Sequence, residues 1–453
     1  MYVFIHRKDL RTYDLRAFDA LHRRGLPGIH LLILDPQLLT AERLVAHSGQ
    51  QFLEHAVLLE HAYAQAGQTL HLLWGQPSAV AAAVMDAYPV QGLVAHADYT
   101  PYAKQRDAAL TQAATRRSIP AVFLDDLPLA PLSQLRDYAG RSEPYKVFTP
   151  FYRKWSSFMQ QHYPGQARIS VEQLHTVAEL DACVLEAFGL PAPIQAACSA
   201  VRQRVLAGGR TVYSGAQALQ SFIHERLHHY DRSRDAFAEP GTSGISRYVN
   251  SGALSVREAY EAASLQPGGE AWIRQLAWRD FYLYQAIHNE RFFTLEQQYD
   301  FSALQETHFA AWSQGRTGIP IIDAAMAQLN QTGEMPNRLR MVTAMFLTKN
   351  LLCPFTLGEQ YFRLQLSDYD HILNRGGWLW SSSLGYDAAP YFRIMNPSSQ
   401  SAAHDPHGHY IRRWLPELGH LSDSEIHLPR PDAIVDLKAS RARAMEVYRF
   451  MLQ

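Results

Sequence analysis

Cysteine is scarce in this chain, which narrows the class of protein. The 453 residues include three cysteines, Cys183, Cys198 and Cys353, whose spacing fits neither a metal site nor a redox motif. We therefore expect a reducing compartment, no bound metal and no disulfide framework. An excess of charge of one sign is also missing, since the net charge is −1. A nucleic-acid site would need basic groups segregated onto one face.

Long hydrophobic runs are lacking as well. Every apolar run falls well short of the roughly 20 residues that cross a bilayer. Residues 1–5 lead straight into the charged residues 6–9 rather than into a signal peptide. These absences predict a soluble cytoplasmic protein with no membrane partner.

The chain does have a 47% hydrophobic composition, over a length that predicts two domains. Residues 1–125 alternate short apolar runs with amphipathic stretches, a pattern typical of a parallel sheet wrapped by helices. We predict strands at 2–5, 29–34, 69–74, 92–95 and 121–124, and helices at 14–24, 48–65, 77–87 and 102–117. Neither GxxxxGK nor GxGxxG follows the first strand, so a ligand here would be held without a standard nucleotide loop.

The rest of the chain loses this alternation. We interpret residues 126–200 as an interdomain linker, whose Pro/Ala-rich piece 189–197 runs over the surface. From 201 to 453 the helical period dominates, which predicts a large all-α domain. Its predicted helices are 211–230, 255–264, 270–289, 320–329, 337–352 and 358–366. The expected fold is a Rossmann-like α/β domain followed by an α-helical domain.

The densest chemistry lies at residues 374–383, where two glycines stand among Asn374, Arg375, Trp378 and Trp380. A glycine pair lets the backbone approach a partner closely, and the tryptophans suit a flat aromatic ligand. The alternative is a Gly-rich turn between two core helices, with the tryptophans as filler. Taken by itself, the stretch favours the turn.

Three further clusters have both a functional and a purely structural interpretation. Gly241 and the hydroxyl residues after it suit a phosphate at a helix start, or they cap the next helix. Trp272, Gln275 and Trp278 form a stripe on one helix, which favours a site over an amide that faces water. Residues 337–341 include two arginines that could hold phosphates, or they reflect the ordinary scatter of charge.

Taken together, these stretches resemble the photolyase/cryptochrome family over nearly the whole chain. The matching motifs lie, in the family's order, at residues 3–14, 230–243, 278–282, 315–326, 332–341, 376–397 and 410–418. Asn337 stands where (6-4)-repairing members tend to carry histidine. The chain is therefore most similar to the class I branch, which repairs cyclobutane pyrimidine dimers.

The resemblance implies FAD bound in the helical domain, and it implies which residues surround the cofactor and the DNA. The expected FAD contacts are Tyr230, Thr242, Ser243, Gly244, Ile245, Ser246, Trp272, Arg340, Asp368, Tyr369, Asp370 and Asn374. The expected DNA or lesion contacts are Arg234, Gln275, Trp278, Asn337, Arg338, Met341, Trp380, Arg393 and Gln400. The residues expected to act in the reaction are Asn374, Trp378, Gln275, Trp278 and Met341. Asn374 is expected to face the flavin N5 atom, and Arg340 to pair with Asp368.

The function implied by the resemblance is light-driven repair of cyclobutane pyrimidine dimers in DNA. A monomer would transfer an electron from excited reduced FAD to a dimer flipped out of the damaged strand. The alternative is a cryptochrome-like blue-light receptor without repair activity. A third possibility is a helical scaffold that binds no flavin.

Several positions depart from the family pattern. Gln275 stands where dimer-repairing members usually have glutamate. Trp378 matches the flavin-proximal member of the family's electron-transfer chain, but Phe355 and Phe301 stand in its middle and outer positions. Phenylalanine is much harder to oxidise than indole, so we expect slow photoreduction or another route, through Trp380 or nearby tyrosines.

Two questions are left open by these departures. Residues 96–107 lack the Asn-Glu pair of folate-binding members, so an antenna chromophore could be a folate, a deazaflavin, a flavin or absent. Arg375 replaces an asparagine beside Asn374. We expect it to serve the flavin and not the DNA.

Overall fold

The computed structural model describes residues 1–452, which form two compact units built from several segments of chain. The first unit comprises Met1–Ser142, Tyr152–Leu227 and Ser243–Leu283. The second comprises Glu143–Phe151, His228–Thr242 and the chain from Tyr284 onward. The units therefore interleave along the chain, whereas the predicted domains were contiguous.

A five-stranded parallel sheet organises the first unit. Its strands are Tyr2–His6 (β1), Gly28–Leu34 (β2), His71–Trp74 (β3), Leu93–His96 (β4) and Ala121–Leu124 (β5). They lie in the order β3-β2-β1-β4-β5, with Val3 opposite Ile29 on one side and Leu93 on the other. Central β1 is buried along its whole length, as expected of a strand in a covered parallel sheet. All five predicted strands are confirmed.

The rest of the described chain is mainly helical. The helices up to residue 225 are Arg16–His22 (α1), Ala41–Val45 (α2), His47–Gln65 (α3), Pro77–Ala87 (α4), Pro101–Thr115 (α5), Leu132–Ala139 (α6), Phe148–His162 (α7), Ala182–Phe188 (α8), Ala192–Ala207 (α9) and Ser214–Glu225 (α10). The next are Tyr230–Ser233 (α11), Ser246–Ser251 (α12), Val256–Ser264 (α13), Gly269–His288 (α14), Phe309–Ser313 (α15), Pro320–Thr332 (α16) and Asn337–Met345 (α17). The last are Phe355–Gln365 (α18), His371–Ser381 (α19), Pro397–His404 (α20), His409–Trp414 (α21) and Leu437–Met451 (α22). A π-helical turn, Phe346–Asn350, follows α17.

The prediction that residues 189–197 are a surface linker is wrong. Helix α9 begins at Ala192, with a proline in its first turn where the missing N–H costs nothing. Its buried residues recur at helical spacing, and Val201 and Val205 belong to the same core as Phe4 of the sheet. The prolines of this stretch therefore mark the start of a core helix.

Within the first unit, buried ion pairs connect helix α13, in the segment Ser243–Leu283, to residues of the N-terminal segment. Arg257 on α13 contacts Asp14 at 3.0 Å and Asp126 at 2.9 Å, and Arg11 contacts Asp126 at 2.9 Å. All four side chains are at most 5% exposed. A buried charge is tolerated when it is paired in this way. Arg11 and Asp14, from the opening motif at 3–14, thus have structural roles.

In residues 1–452 no single helix is long and apolar enough to span a membrane. The bent pair α8 and α9 passes that test together, by length and composition only.

Candidate functional site

Residues 374–381 of the segment 374–383, including both glycines, lie in helix α19, so the interpretation of the segment as a Gly-rich turn is wrong. Asp370 caps this helix, because its carboxylate accepts hydrogen bonds from the N–H groups of Ile372 and Leu373 at 2.9 and 3.0 Å. Trp378 is 2% exposed and packs on α18 at Gly358. A Cβ at Gly358 would lie 2.1 Å from the indole ring, so only glycine admits this tryptophan.

Asn374 and the Arg340–Asp368 pair lie within the second unit. Arg340 Nη2 contacts Asp368 Oδ2 at 2.9 Å, and its Nε donates to the carbonyl of Met335 at 2.9 Å. The ion pair expected from the resemblance is therefore present. Asn374 is half-buried and donates through Nδ2 to the carbonyl of Glu359 at 3.0 Å. This bond fixes the amide plane and leaves Oδ1 as its acceptor atom.

Arg375 is buried, at 3% exposure, among acidic and aromatic groups. Its guanidinium pairs with Glu359 at 3.0 Å and with Glu296, and it lies 5.0 Å from the centre of the Phe355 ring. Burial raises the pKa of Glu359, and the charge of Arg375 partly opposes that effect. A guanidinium held by two carboxylates is not available to a phosphate.

Helix α17 exposes Asn337 to solvent at its start, while its two arginines form ion pairs within the protein. Asn337 is exposed, Met341 is half-buried, and the Asn337 amide lies 3.7 Å from the Met341 sulfur. Arg338 binds Asp235 through two contacts of 2.5 and 3.2 Å. Burial raises the pKa of Asp235, but the hydrogen bond and charge of Arg338, together with the charges of Arg234 and His404, lower it by more and the net direction is down. Arg338 is therefore held by an ion pair, beside the exposed end of the helix.

The stretch from Arg234 to Ile245, between helices α11 and α12, is irregular. A Cβ on Gly241 would lie 2.2 Å from the carbonyl oxygen of Ser233, so the backbone needs glycine at this close approach. Helix α12 starts after Ile245, with no side-chain cap. The alternative that Thr242 or Ser243 caps this helix is thus wrong.

Tyr230 and Arg234 lie on or next to helix α11. Tyr230 is 7% exposed, and the guanidinium carbon of Arg234 lies 5.9 Å from the centre of its ring. Burial raises the pKa of Tyr230, and Arg234 reduces the rise. The phenol therefore stays protonated at neutral pH.

Helix α14 contains the predicted Trp272, Gln275 and Trp278. Trp272 is 4% exposed, with its ring 5.7 Å from that of Phe222. Gln275 and Trp278 are half-buried, and Gln275 donates to its own helix at the carbonyl of Ala271, at 3.3 Å. This bond uses one N–H of the amide and leaves the Gln275 side-chain oxygen as an acceptor.

Asp280, in the same motif, has a structural role. Its carboxylate accepts from the N–H groups of Leu129 and Ala130 and from the indole of Trp155, all at 2.8 to 2.9 Å. Burial raises the pKa of Asp280, against the lowering effect of these hydrogen bonds and of Arg279. The carboxylate joins the turn at residues 129–130 to helix α7.

The predicted residues are distributed over both units. Ser243, Gly244, Ile245, Ser246, Trp272, Gln275 and Trp278 belong to the first, and the remaining ones belong to the second. Of the others in the second unit, Tyr369, Trp380 and Gln400 are half-buried and Arg393 is exposed.

Two models of known families match the chain. One, DNA photolyase, covers residues 2–168, and the other, the FAD binding domain of DNA photolyase, covers residues 272–450. A deoxyribodipyrimidine photo-lyase from Synechococcus is 34% identical, over an alignment that covers 94% of this chain and 89% of that protein. This chain belongs to the DNA photolyase family.

Solved photolyase structures have the same fold. A class III photolyase from Agrobacterium tumefaciens matches with a TM-score of 0.84 at 27% identity, covering 99% of this chain and 97% of that one. An archaeal photolyase from Sulfolobus tokodaii, which holds two FAD molecules, matches with a TM-score of 0.82 at 25% identity over 99% of both chains. The predicted fold class is confirmed.

FAD is the cofactor of this photolyase fold, and residues of the second unit fit it. Asn374 offers an amide acceptor whose other end is anchored to Glu359. The Arg340–Asp368 pair supplies a charged group with a fixed orientation. The indole N–H of Trp378 is buried and has no hydrogen-bond partner within residues 1–452, which suits a ring that faces a cofactor.

The photolyase sequence motifs did not single out Trp312. This residue is fully buried in α15, and its ring lies 6.1 Å from that of Trp378. The available signal was its position three residues before the Gly-Arg-Thr-Gly motif at 315–318. Lys349, buried in the π-helical turn, was also missed, because a lysine inside an apolar run gives no indication of its partners.

Proposed function

We propose that this protein repairs cyclobutane pyrimidine dimers in DNA, using light. FAD, when bound, supplies the electron that splits the dimer. The chain's residues bind the strand, receive the extruded dimer and exclude water. The Synechococcus relative is named for this activity and aligns over most of both chains.

The observation that carries the proposal is the arrangement on helix α17. The helix exposes Asn337 at its start, while Arg340, less than one turn later, is turned towards Asp368. One short helix therefore exposes the Asn337 amide to solvent. The same helix holds Arg340 in an ion pair with Asp368, which is expected to contact the flavin. An amide at the mouth of the site can donate to a pyrimidine carbonyl and accept from a ring N–H.

DNA binding would depend on arginines in the second unit. Arg393 is exposed, and Arg234 is half-buried over Tyr230. Arginine binds phosphate oxygens in pairs and releases counterions, so affinity should fall as salt rises. The damaged strand is the proposed partner, and the active form is a monomer.

The test uses purified protein, a thymine-dimer oligonucleotide, a thiol or dithionite as reductant, and blue light. Restored thymines, counted by chromatography, are expected in the light and not in the dark. A matched oligonucleotide with a (6-4) lesion should be left unrepaired. Repair of the (6-4) lesion alone would contradict the assignment to cyclobutane dimers.

A cryptochrome-like light receptor is the second candidate. It is favoured by Gln275, since an amide cannot share a proton with the dimer as a carboxylic acid can, and by Phe355 in the electron-transfer chain. The same experiment separates the two: tightly bound flavin without any repair indicates the receptor. A colourless protein that does not take up FAD would indicate the helical scaffold.

A further inference from the structure

The middle and outer electron-transfer positions expected from the family, Phe355 and Phe301, lie together but cannot carry an electron. The rings of Phe355 and Phe301 are 6.2 Å apart, and phenylalanine is not oxidised by a tryptophan radical. The guanidinium of Arg375 lies 5.0 Å from the centre of the Phe355 ring. A cation over a ring stabilises the ring's electrons, although Glu296 and Glu359 offset its charge. Because neither phenylalanine can be oxidised, Phe355 and Phe301 cannot pass electrons to Trp378.

Trp378 has a second aromatic neighbour that can be oxidised. The ring of Trp312 meets that of Trp378 edge-on, at 6.1 Å between centroids. Its indole N–H donates to the carbonyl of Thr343 at 3.1 Å, whereas that of Trp378 has no partner within residues 1–452. A hydrogen bond from the indole N–H stabilises an oxidised indole, because it disperses the positive charge. A positive charge formed on Trp378 would therefore move to Trp312.

Tyr361 continues this line towards the solvent. Its ring lies 5.8 Å from that of Trp312, and the residue is half-buried on α18. The phenol O–H lies 2.6 Å from the amide oxygen of Asn330 and 2.9 Å from the carbonyl of Ser313. Burial raises the pKa of Tyr361, so it is protonated at neutral pH and must lose a proton when oxidised. Neither acceptor is a base, so the proton goes to water.

We propose that Trp378, Trp312 and Tyr361 form the route by which electrons enter this protein to reduce the flavin. Trp378 gives one electron to the light-excited flavin, Trp312 gives one to the oxidised Trp378, and Tyr361 gives one to the oxidised Trp312. Tyr361 releases its phenolic proton to water and is left as a neutral radical. An external thiol then returns one electron and one proton to it. This inference rests on the proposed function and on the expectation, implied by the family resemblance, that Trp378 lies next to the flavin.

The test measures radicals and flavin reduction in the FAD-loaded protein. Illumination with oxidised flavin and no thiol should give the electron paramagnetic resonance signal of a neutral tyrosyl radical. Tyr361→Phe should abolish that signal, leave a tryptophan radical, and slow thiol-supported photoreduction several-fold. Trp312→Phe should remove both radicals beyond Trp378. Trp312 is fully buried and its variant could misfold. The tyrosyl signal and the photoreduction rate of Tyr361→Phe are therefore sufficient to test the route.

The matched control is Tyr386→Phe, which changes another half-buried tyrosine of the second unit, one packed on Phe292. It should leave both the tyrosyl signal and the photoreduction rate unchanged. A tyrosyl signal that persists in Tyr361→Phe, or a normal photoreduction rate there, would overturn the route.

Failure of the route can be told from failure of the proposed function. Dithionite reduces the flavin without the chain of side chains, so dithionite-treated Tyr361→Phe should repair dimers as well as the unaltered protein. Absence of repair in the unaltered, dithionite-reduced protein would contradict the proposed function instead. Repair together with an unchanged photoreduction rate in Tyr361→Phe would contradict the route only.

Discussion

At position 375 a buried guanidinium stands where the family usually has an amide. Arg375 contacts Glu296, Glu359 and the carbonyl of Phe292, and none of these groups is part of a phosphate site. The sequence raised two uses for this charge, at the flavin or at the DNA. Its burial among carboxylates agrees with a role inside the protein.

Arg375→Asn should therefore leave DNA affinity unchanged and lower the free energy of unfolding by about 3–5 kcal/mol, as when one partner of a buried ion pair is removed. Denaturant unfolding and a DNA titration of the folded variant measure the two effects. Arg363→Asn, on the half-buried surface of α18, is the control and should affect neither strongly. A clear loss of DNA affinity in the folded Arg375→Asn variant would indicate that Arg375 contributes to DNA binding.

Lys349 is a second buried cation, and it has no carboxylate among its contacts that the structure describes. Its ammonium donates to Ser383 at 2.7 Å and to the carbonyl of Arg393 at 3.0 Å, and it lies 5.6 Å from the ring of Tyr448. Burial, with a smaller effect of the Arg393 charge, lowers the pKa of Lys349 to about 8. Lys349 thus contacts both ends of the segment 383–393.

The lowered pKa gives a pH dependence of known sign. Above about pH 8 the folded protein loses the Lys349 proton, while the unfolded chain keeps it up to roughly pH 10.4. The unfolded state then binds more protons, so this residue's contribution to stability rises with pH, by at most about 1.4 kcal/mol per pH unit. Unfolding of the unaltered protein and of Lys349→Met, compared near pH 7 and pH 10, measures it. A constant difference between the two proteins would contradict the prediction.

At the scale of elements, helix α19 contains an adjacent glycine pair, a feature more typical of a turn. Two adjacent glycines weaken a helix by roughly 1 kcal/mol each relative to alanine, which favours a turn. The Asp370 cap and the packing of Trp378 on Gly358 outweigh that cost. Both contributions come from outside the glycine pair.

Asp370→Ala should lower the free energy of unfolding by about 1 kcal/mol, because two backbone N–H groups at the start of α19 lose their acceptor. The measurement is denaturant unfolding of the flavin-free protein, so that any cofactor contact of Asp370 does not contribute. Asp370→Ser keeps a capping oxygen and should recover most of the loss. Equal stabilities of the alanine and serine variants would contradict a capping role.

At the scale of the whole molecule, the chain contributes residues to each unit from several distant segments. Arg257 pairs with Asp14 over a separation of 243 residues. Burial raises the pKa of Asp126, but the charges of His96, Arg11 and Arg257 outweigh it and the pKa is lowered. This buried network ties α13 to the sheet-containing unit.

The lowered pKa of Asp126 predicts sensitivity to acid. Its stabilising contribution is complete above the unfolded value of roughly 3.9 and is lost as the pH falls through the lower folded value. Asp126→Asn should remove this dependence and cost about 3–5 kcal/mol at neutral pH. Denaturant unfolding as a function of pH measures both effects, with exposed Asp423→Asn as the control. An unchanged acid profile in Asp126→Asn would assign the transition to other carboxylates.

The sequence by itself determined the five strands, several of the long helices and the family. These features depend on local periodicity and on motifs read in order, which need no knowledge of distant contacts. The predicted helices at 77–87 and 270–289, for example, agree with α4 and α14 to within a residue or two. The Arg340–Asp368 pair was also anticipated, since the resemblance supplied its partners.

Only the tertiary structure decided which candidate residues have partners inside the protein and which do not. Arg375 and Trp312 lie next to groups from other helices, and neither their sequence neighbours nor their spacing indicates those contacts. The first residues of the helix at 192–207 were interpreted as part of a linker, because the prolines of 189–197 were visible in the sequence and the core that covers the helix was not. Burial and long-range pairing arise when distant segments meet, and that is the physical reason why the sequence could not show them.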